Sequence, residues 1–117
     1  MNSLHDLAGA EEIVIGFVRP DGTSGSTPIW DVEVDDQLYV RSAGGTSGGW
    51  YRRLRANPDG EVHLGKRVYT VRVEPVNDPE TLSKVTDAYI RKYQGSSLLR
   101  MFSTAEAVAA TPRLMAR

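Results

Sequence analysis

The chain has no cysteine, which removes disulfides, thiolate metal sites and thiol nucleophiles from consideration. It has no apolar run near the roughly 20 residues that a membrane-spanning helix needs. Residues 1–7 also lack the basic and apolar stretches of a signal peptide. A cytoplasmic protein with no membrane partner is therefore expected. An excess of one charge is missing too: 14 basic residues stand against 15 acidic ones, for a net charge of −1. No overall field draws the chain to nucleic acid or anionic lipid, so affinity for an anion has to come from a local cluster. His5 and His63 have no partner at metal-ligand spacing. No Gly-x-Ser-x-Gly elbow is present either, so neither metal nor catalytic-triad chemistry is indicated.

What is there suits one small globular domain. The chain has 117 residues, 40% of them hydrophobic and 25% charged, with a mean hydropathy of −0.35. That length supports a single core, here taken as one domain over residues 1–117. Its 11 glycines imply many turns and hence a β-rich fold.

Leu4, Leu7 and Ala8 recur at helical spacing behind Ser3 as a cap, predicting a short helix that ends near Gly9. Residues 12–19 read as a strand closed by the turn Arg19-Pro20-Asp21-Gly22. The hydroxyl-rich residues 23–28 read as a loop. Residues 29–34 alternate, with Trp30, Val32 and Val34 on one face and Asp31 and Glu33 on the other. Asp35-Asp36 turns that strand into residues 38–42, where Leu38 and Val40 oppose Tyr39 and Arg41. A short helix over residues 50–56 is stopped by Asn57-Pro58.

Residues 61–64 and 66–76 form a second hairpin around Gly65. Asn77-Asp78-Pro79-Glu80 starts a longer helix with Leu82, Val85, Tyr89 and Tyr93 as its buried stripe, ended by Gly95. Residues 98–102 make a helical turn, and residues 107–114 return as an edge strand that tolerates Pro112. The fold class is mainly β (α+β). Five or six antiparallel strands, a short inserted helix and a longer late one suit a small closed or split β-barrel better than a sandwich, because closure removes edges so short a chain can hardly protect.

The stretch richest in chemistry is residues 41–58, RSAGGTSGGWYRRLRANP. It runs from a strand end through a glycine loop into two aromatic rings and an arginine-rich helix start. Glycines let backbone N–H groups approach a ligand, and a helix start leaves such groups unpaired. Arg41 has the planar fork for a phosphate or carboxylate, or it forms a cross-strand salt bridge to Asp31 or Glu33. Trp50 and Tyr51 either wall a planar ligand or pack the short helix on the barrel, the commoner use of tryptophan. Of Arg52, Arg53 and Arg55, at least two make a solvated basic face. Rings and arginines together also fit a single-stranded nucleic-acid platform, against which the net charge argues. Tyr89, Lys92 and Tyr93 share overlapping faces of the late helix, where packing on the barrel is the usual arrangement.

Several motifs resemble the FMN-binding split-barrel superfamily, which includes pyridoxamine-phosphate oxidases and deazaflavin-dependent nitroreductases. They are Pro28-Ile29-Trp30, Leu38-Tyr39-Val40-Arg41-Ser42, Gly44-Gly45, Trp50-Tyr51-Arg52-Arg53-Leu54, Ala56-Asn57-Pro58, Val62 and Tyr69-Thr70-Val71. Ala88-Tyr89, Lys92-Tyr93, Gly95-Ser96 and Ala109-Ala110-Thr111 are similar to an uncharacterised group of small actinobacterial-type proteins in the same clan.

The resemblance implies a homodimer that holds FMN or a deazaflavin in a groove between barrels for hydride-transfer redox chemistry. It implies a ring near Ser42, Ala43, Gly44, Gly45, Trp50 and Tyr51. The phosphate would meet Thr23, Ser24, Gly25 and Thr27, with Arg41 or Arg53 as counter-charge. Two departures, the neutral Thr23-Ser24 and the proline-free Thr46-Ser47-Gly48-Gly49, favour an alternative: a non-catalytic barrel that binds a small anionic metabolite or a protein partner.

Overall fold

The computed structural model describes residues 3–117, with side chains from Leu4 onward, so the Ser3 cap lies outside the described side chains. A 3-10 helix over Ser3–Gly9 puts Leu4 and Leu7 into the core. Seven strands then form one antiparallel sheet: β1 (Ile13–Val18), β2 (Ser24–Ile29), β3 (Asp31–Val34), β4 (Gln37–Val40), β5 (Asp59–Leu64), β6 (Arg67–Pro75) and β7 (Pro112–Ala116). Helix α1 (Gly49–Ala56) follows β4, α2 (Pro79–Lys92) follows β6, and the one-turn α3 (Ala105–Val108) precedes β7.

The sheet order is β2-β1-β5-β6-β7-β4-β3. Its two outermost strands, β2 and β3, are consecutive in sequence with only Trp30 between them. The sheet therefore curls until its edges meet through one residue, the split form of the closed or split barrel that the strand pattern suggested. Ile13, Ile15, Val40, Val62 and Val71 fill the interior together with Leu54 of α1. A second cluster lies outside the wall, where Val85, Ala88, Tyr89 and Tyr93 of α2 cover Val32 and Tyr39.

The local signals behave as their chemistry dictates. Asp78 caps α2, its carboxylate accepting the Thr81 N–H at 3.0 Å, with Pro79 in the first turn. Asp35 and Asp36 take φ of 50° and 65°, the left-handed pair that a two-residue hairpin turn demands. Tyr39 faces α2 while Leu38 and Val40 face the barrel interior, as alternation requires.

Four expectations are corrected. The described residues form seven strands, not five or six. Residues 23–28 are not a loop: Ser24–Ile29 is strand β2, paired with β1 from Val18↔Ser24 to Ile13↔Ile29. It is an edge strand with alternate residues in water, so small hydroxyl side chains suffice and no apolar signal is required. Residues 29–34 are not one strand, because the chain bends at Trp30, and Asp31 is fully buried rather than on a solvent face. Residues 107–114 are not an edge strand either. They begin in α3, and β7 lies inside the sheet between β6 and β4, where Pro112 is tolerated as the first residue opposite Pro75.

The Asp35-Asp36 turn supplies a test. Asp36→Gly removes the Cβ cost at φ 65° while keeping the Lys84 contact to Asp35. Melting should rise, by about 0.5–1 kcal/mol of stability. A lower melting temperature would mean that Asp36 holds this turn by some other contact.

Candidate cofactor site

A cleft of about 450 Å³ opens where the barrel seam meets the glycine turn. Thr27, Pro28 and Ile29 of β2 form one side, and residues 41–44 with Gly48, Gly49 and Trp50 form the floor. Trp30 and the 3-10 turn Leu99–Phe102 form the opposite wall. The chain folds this way because two glycines leave it little choice. Gly45 has φ 72°, and a Cβ there would meet Glu106 Cβ at 2.8 Å. A Cβ on Gly48 would sit 2.3 Å from Ser42 Oγ. The turn thus folds tightly against Ser42 and α3, and α1 starts directly from it.

The walls are aromatic and flat. Trp30 stacks on Tyr93 with ring centroids 3.9 Å apart and planes 4° from parallel, and on Phe102 at 4.8 Å and 14°. Tyr89 sits against both partners, at 5.8 Å from Tyr93 and 5.1 Å from Phe102. At the floor, the first bond within α1 runs from Arg52 N–H to Gly48 O, and no side chain caps this end. The N–H groups of Gly49, Trp50 and Tyr51 precede that bond and carry the partial positive charge of a helix start. The cleft therefore offers a flat apolar slot that ends in backbone donors.

The bend is clamped by the end of α2. Tyr89 OH donates to Trp30 O at 2.9 Å, and Tyr93 OH donates to Glu11 O at 2.7 Å. Lys92 Nζ reaches Asp31 O at 2.7 Å and Asp31 Oδ1 at 3.1 Å. Burial pushes both phenols above their ordinary range, so they stay neutral donors.

The family model described as "Uncharacterized protein conserved in bacteria (DUF2255)" matches residues 3–114. The chain belongs to the DUF2255 family. Among curated proteins, an F420-H2-dependent quinone reductase of Mycobacterium tuberculosis is 44% identical over 50 residues. That match covers 39% of this chain and 34% of the reductase, so this DUF2255 chain spans about a third of the length of the curated relatives it matches.

Two solved structures define the fold. A conserved hypothetical protein of Mycobacterium tuberculosis superposes with a TM-score of 0.74 at 17% identity, covering 100% of this chain and 81% of that one. An F420-H2-dependent reductase superposes with a TM-score of 0.67 at 14% identity, covering 90% and 94%. Pyridoxamine-phosphate-oxidase-type and FAD-binding proteins share the same barrel.

The residues expected at a cofactor site divide into three groups in the DUF2255 chain. Thr27, Arg41, Ser42, Ala43, Gly44 and Trp50 line the cleft. Ser24 and Gly25 instead line a trough of about 830 Å³ on the outer face of β2, β1 and β5. The trough is the larger hollow, and its polar groups are engaged with one another: Arg117 with Asp59 at 3.1 Å, His63 with Glu61 at 3.4 Å, and Arg19 with the carbonyl of Ser24 at 2.6 Å. The remaining four line neither. Thr23 closes its own turn on Asp21 at 2.7 Å. Gly45 packs under α3, Tyr51 is buried beside Arg55, and Arg53 lies half-buried on α1.

Arg41 makes no salt bridge to Asp31 or Glu33, which pair instead with Lys92 and His5. The residue is 1% exposed. It donates to Thr111 Oγ1 at 2.7 Å, Thr86 Oγ1 at 2.6 Å, Phe102 O at 2.8 Å and Leu82 O at 3.1 Å. Trp50 and Tyr51 are 9% and 6% exposed, so they offer no stacking platform to a nucleic acid. Sequence reasoning missed Trp30, Met101 and Phe102 as wall residues. The apolar run Leu98-Leu99 with Met101-Phe102, a helical turn with no partner assigned, was the available signal.

Arg41 should therefore matter to folding. Arg41→Met takes the side-chain donor from Phe102 O and from the hydroxyls of Thr86 and Thr111, and should cost about 2–4 kcal/mol in urea unfolding. Unchanged stability would return Arg41 to the role of a free phosphate ligand.

Proposed function

We propose that the cleft holds the ring of a flavin-type cofactor, a deazaflavin ahead of FMN, and that the chain is an oxidoreductase. The observation that carries this is the slot itself: an aromatic wall facing a glycine turn that ends at the uncapped start of α1. Its residues fit the group. Trp30 and Phe102, stacked within their own aromatic cluster, border the slot with apolar ring edges that suit a fused ring, and the N–H groups of Gly49 and Trp50 suit its electron-rich carbonyl edge. Arg41 is already committed to protein acceptors and is not free to meet a phosphate. When bound, such a cofactor supplies the hydride chemistry.

The chain's own part is to orient the ring, exclude water and leave one face open to a substrate. No nucleophile or general base is required of it. The curated relative's name points to a deazaflavin and a quinone, and both come to this chain only as part of the proposal. Leu98 and Met101, 53% and 44% exposed beside the cleft mouth, support a homodimer in which a second copy closes the groove. Among the described residues no helix is long and apolar enough to cross a membrane, and the proposed setting is the cytoplasm. The rival reading, a non-catalytic module for an anionic metabolite, finds no uncommitted cation among the described lining residues.

The test is a fluorescence titration with F420, FMN and FAD in turn, repeated on Gly49→Leu. A Cβ at residue 49 meets nothing within 4 Å, so this change adds bulk beside the slot without straining the turn. Saturable binding of at least one cofactor, weakened about tenfold or more in Gly49→Leu, is expected. If none of the three saturates, the chain is not a flavin-type protein.

A further inference from the structure

One buried ionisable group has no part in holding a cofactor. Asp31 follows Trp30 at the bend that joins the two outermost strands, and its side chain is 0% exposed. Lys92 Nζ lies 3.1 Å from Oδ1, while Oδ2 has no hydrogen-bond partner among the described residues. Around it stand Tyr89 and Tyr93 of α2, and Glu11 and Glu12 before β1. Arg41 lies across Tyr89, and His5 touches Glu33 on Asp31's own strand. Of these only Lys92 is ion-paired to the carboxylate. A buried carboxylate with one cation and one unmatched oxygen favours its neutral form. Burial pushes Asp31 up to about 6, against the pull of Lys92.

We propose that Asp31 and Lys92 form a proton-operated latch on the Trp30 wall of the cleft. With Asp31 ionised, the pair pins the last turn of α2 to the bend, and the Trp30 ring stays stacked on Tyr93. When the pH falls, a proton from solvent binds the unmatched Oδ2 and the ionic attraction ends. Lys92, whose side chain is already 24% exposed, then holds the bend only through its 2.7 Å bond to Asp31 O. The Trp30 wall then relaxes, and the slot widens in mildly acidic solution. An ion pair with one partner buried is a weak stabiliser, and its use here is to fix one arrangement of the bend over another. The latch belongs to the chain itself and stands whether or not a flavin occupies the cleft.

The experiment uses the full chain labelled with 5-fluorotryptophan, which gives one fluorine resonance each for Trp30 and Trp50, assigned through Trp50→Phe. The Trp30 resonance should titrate with a midpoint near pH 6 while the Trp50 resonance stays fixed. Asp31→Asn should abolish that titration. Lys92→Gln should raise its midpoint by about one pH unit or more, since burial then acts unopposed. His5→Gln should leave it in place. The proposal is overturned if Trp30 does not titrate between about pH 4.5 and 8, the range that also covers histidine. It is overturned equally if the titration survives Asp31→Asn or disappears in His5→Gln. Should Asp31→Asn fail to fold, an unchanged midpoint in Lys92→Gln sinks the latch by itself.

Discussion

One buried guanidinium holds the working end of this barrel together. Arg41 directly follows β4 and binds acceptors from three other parts of the chain: Thr86 and Leu82 in α2, Phe102 in the cleft wall, and Thr111 just before β7. Each partner lies at least 41 positions away in sequence. A cation taken out of water is tolerated only when its donors are met, and here four hydrogen bonds and the face of Tyr89 at 5.7 Å meet them. Burial lowers the Arg41 pKa from its usual value, though never far enough to discharge it. The glycine turn begins one residue later, so its place is fixed by the same contacts that fix the Phe102 wall.

The second constraint is topological. A seven-stranded sheet has two edges, and in this one they meet through Trp30. Joining them by a bend instead of a hydrogen-bonded ladder leaves a gap in the wall, and the cleft occupies that gap. The bend itself needs support, since its carbonyls face a helix and not a neighbouring strand. Tyr89, Lys92 and Tyr93 supply it, their polar tips reaching Trp30 O, Asp31 O and Glu11 O. The late helix thus braces the Trp30 wall of the candidate site from behind as well as covering the sheet.

Much of this was legible in the sequence where the signal was local. The Asp78-Pro79 start of α2, the Asp35-Asp36 turn and the alternation of Leu38, Tyr39 and Val40 each rest on chemistry within a few residues. What was not legible depends on distant partners. Ser24 and Ser26 carry no apolar mark, so β2 is a strand only because β1 is there to pair with it. The inner position of β7 depends on β4 and β6, more than 36 residues upstream in every pairing. Arg41 beside a glycine loop looks like a ligand-binding arginine until Thr86 and Thr111 are brought to it. Asp31 on an alternating strand looks solvent-facing until α2 covers it. The glycine turn was rightly singled out, but its aromatic wall came from residues a one-dimensional reading had left without a role.

The central claim is that a planar cofactor enters the slot between the Trp30 wall and the start of α1. Amide chemical-shift mapping with F420 and with FMN tests it most directly. The account predicts the largest changes at Ala43, Gly44, Gly48, Gly49 and the Trp30 indole. Changes concentrated instead at Gly16, Gly25 and His63, on the outer face of β1, β2 and β5, would contradict it.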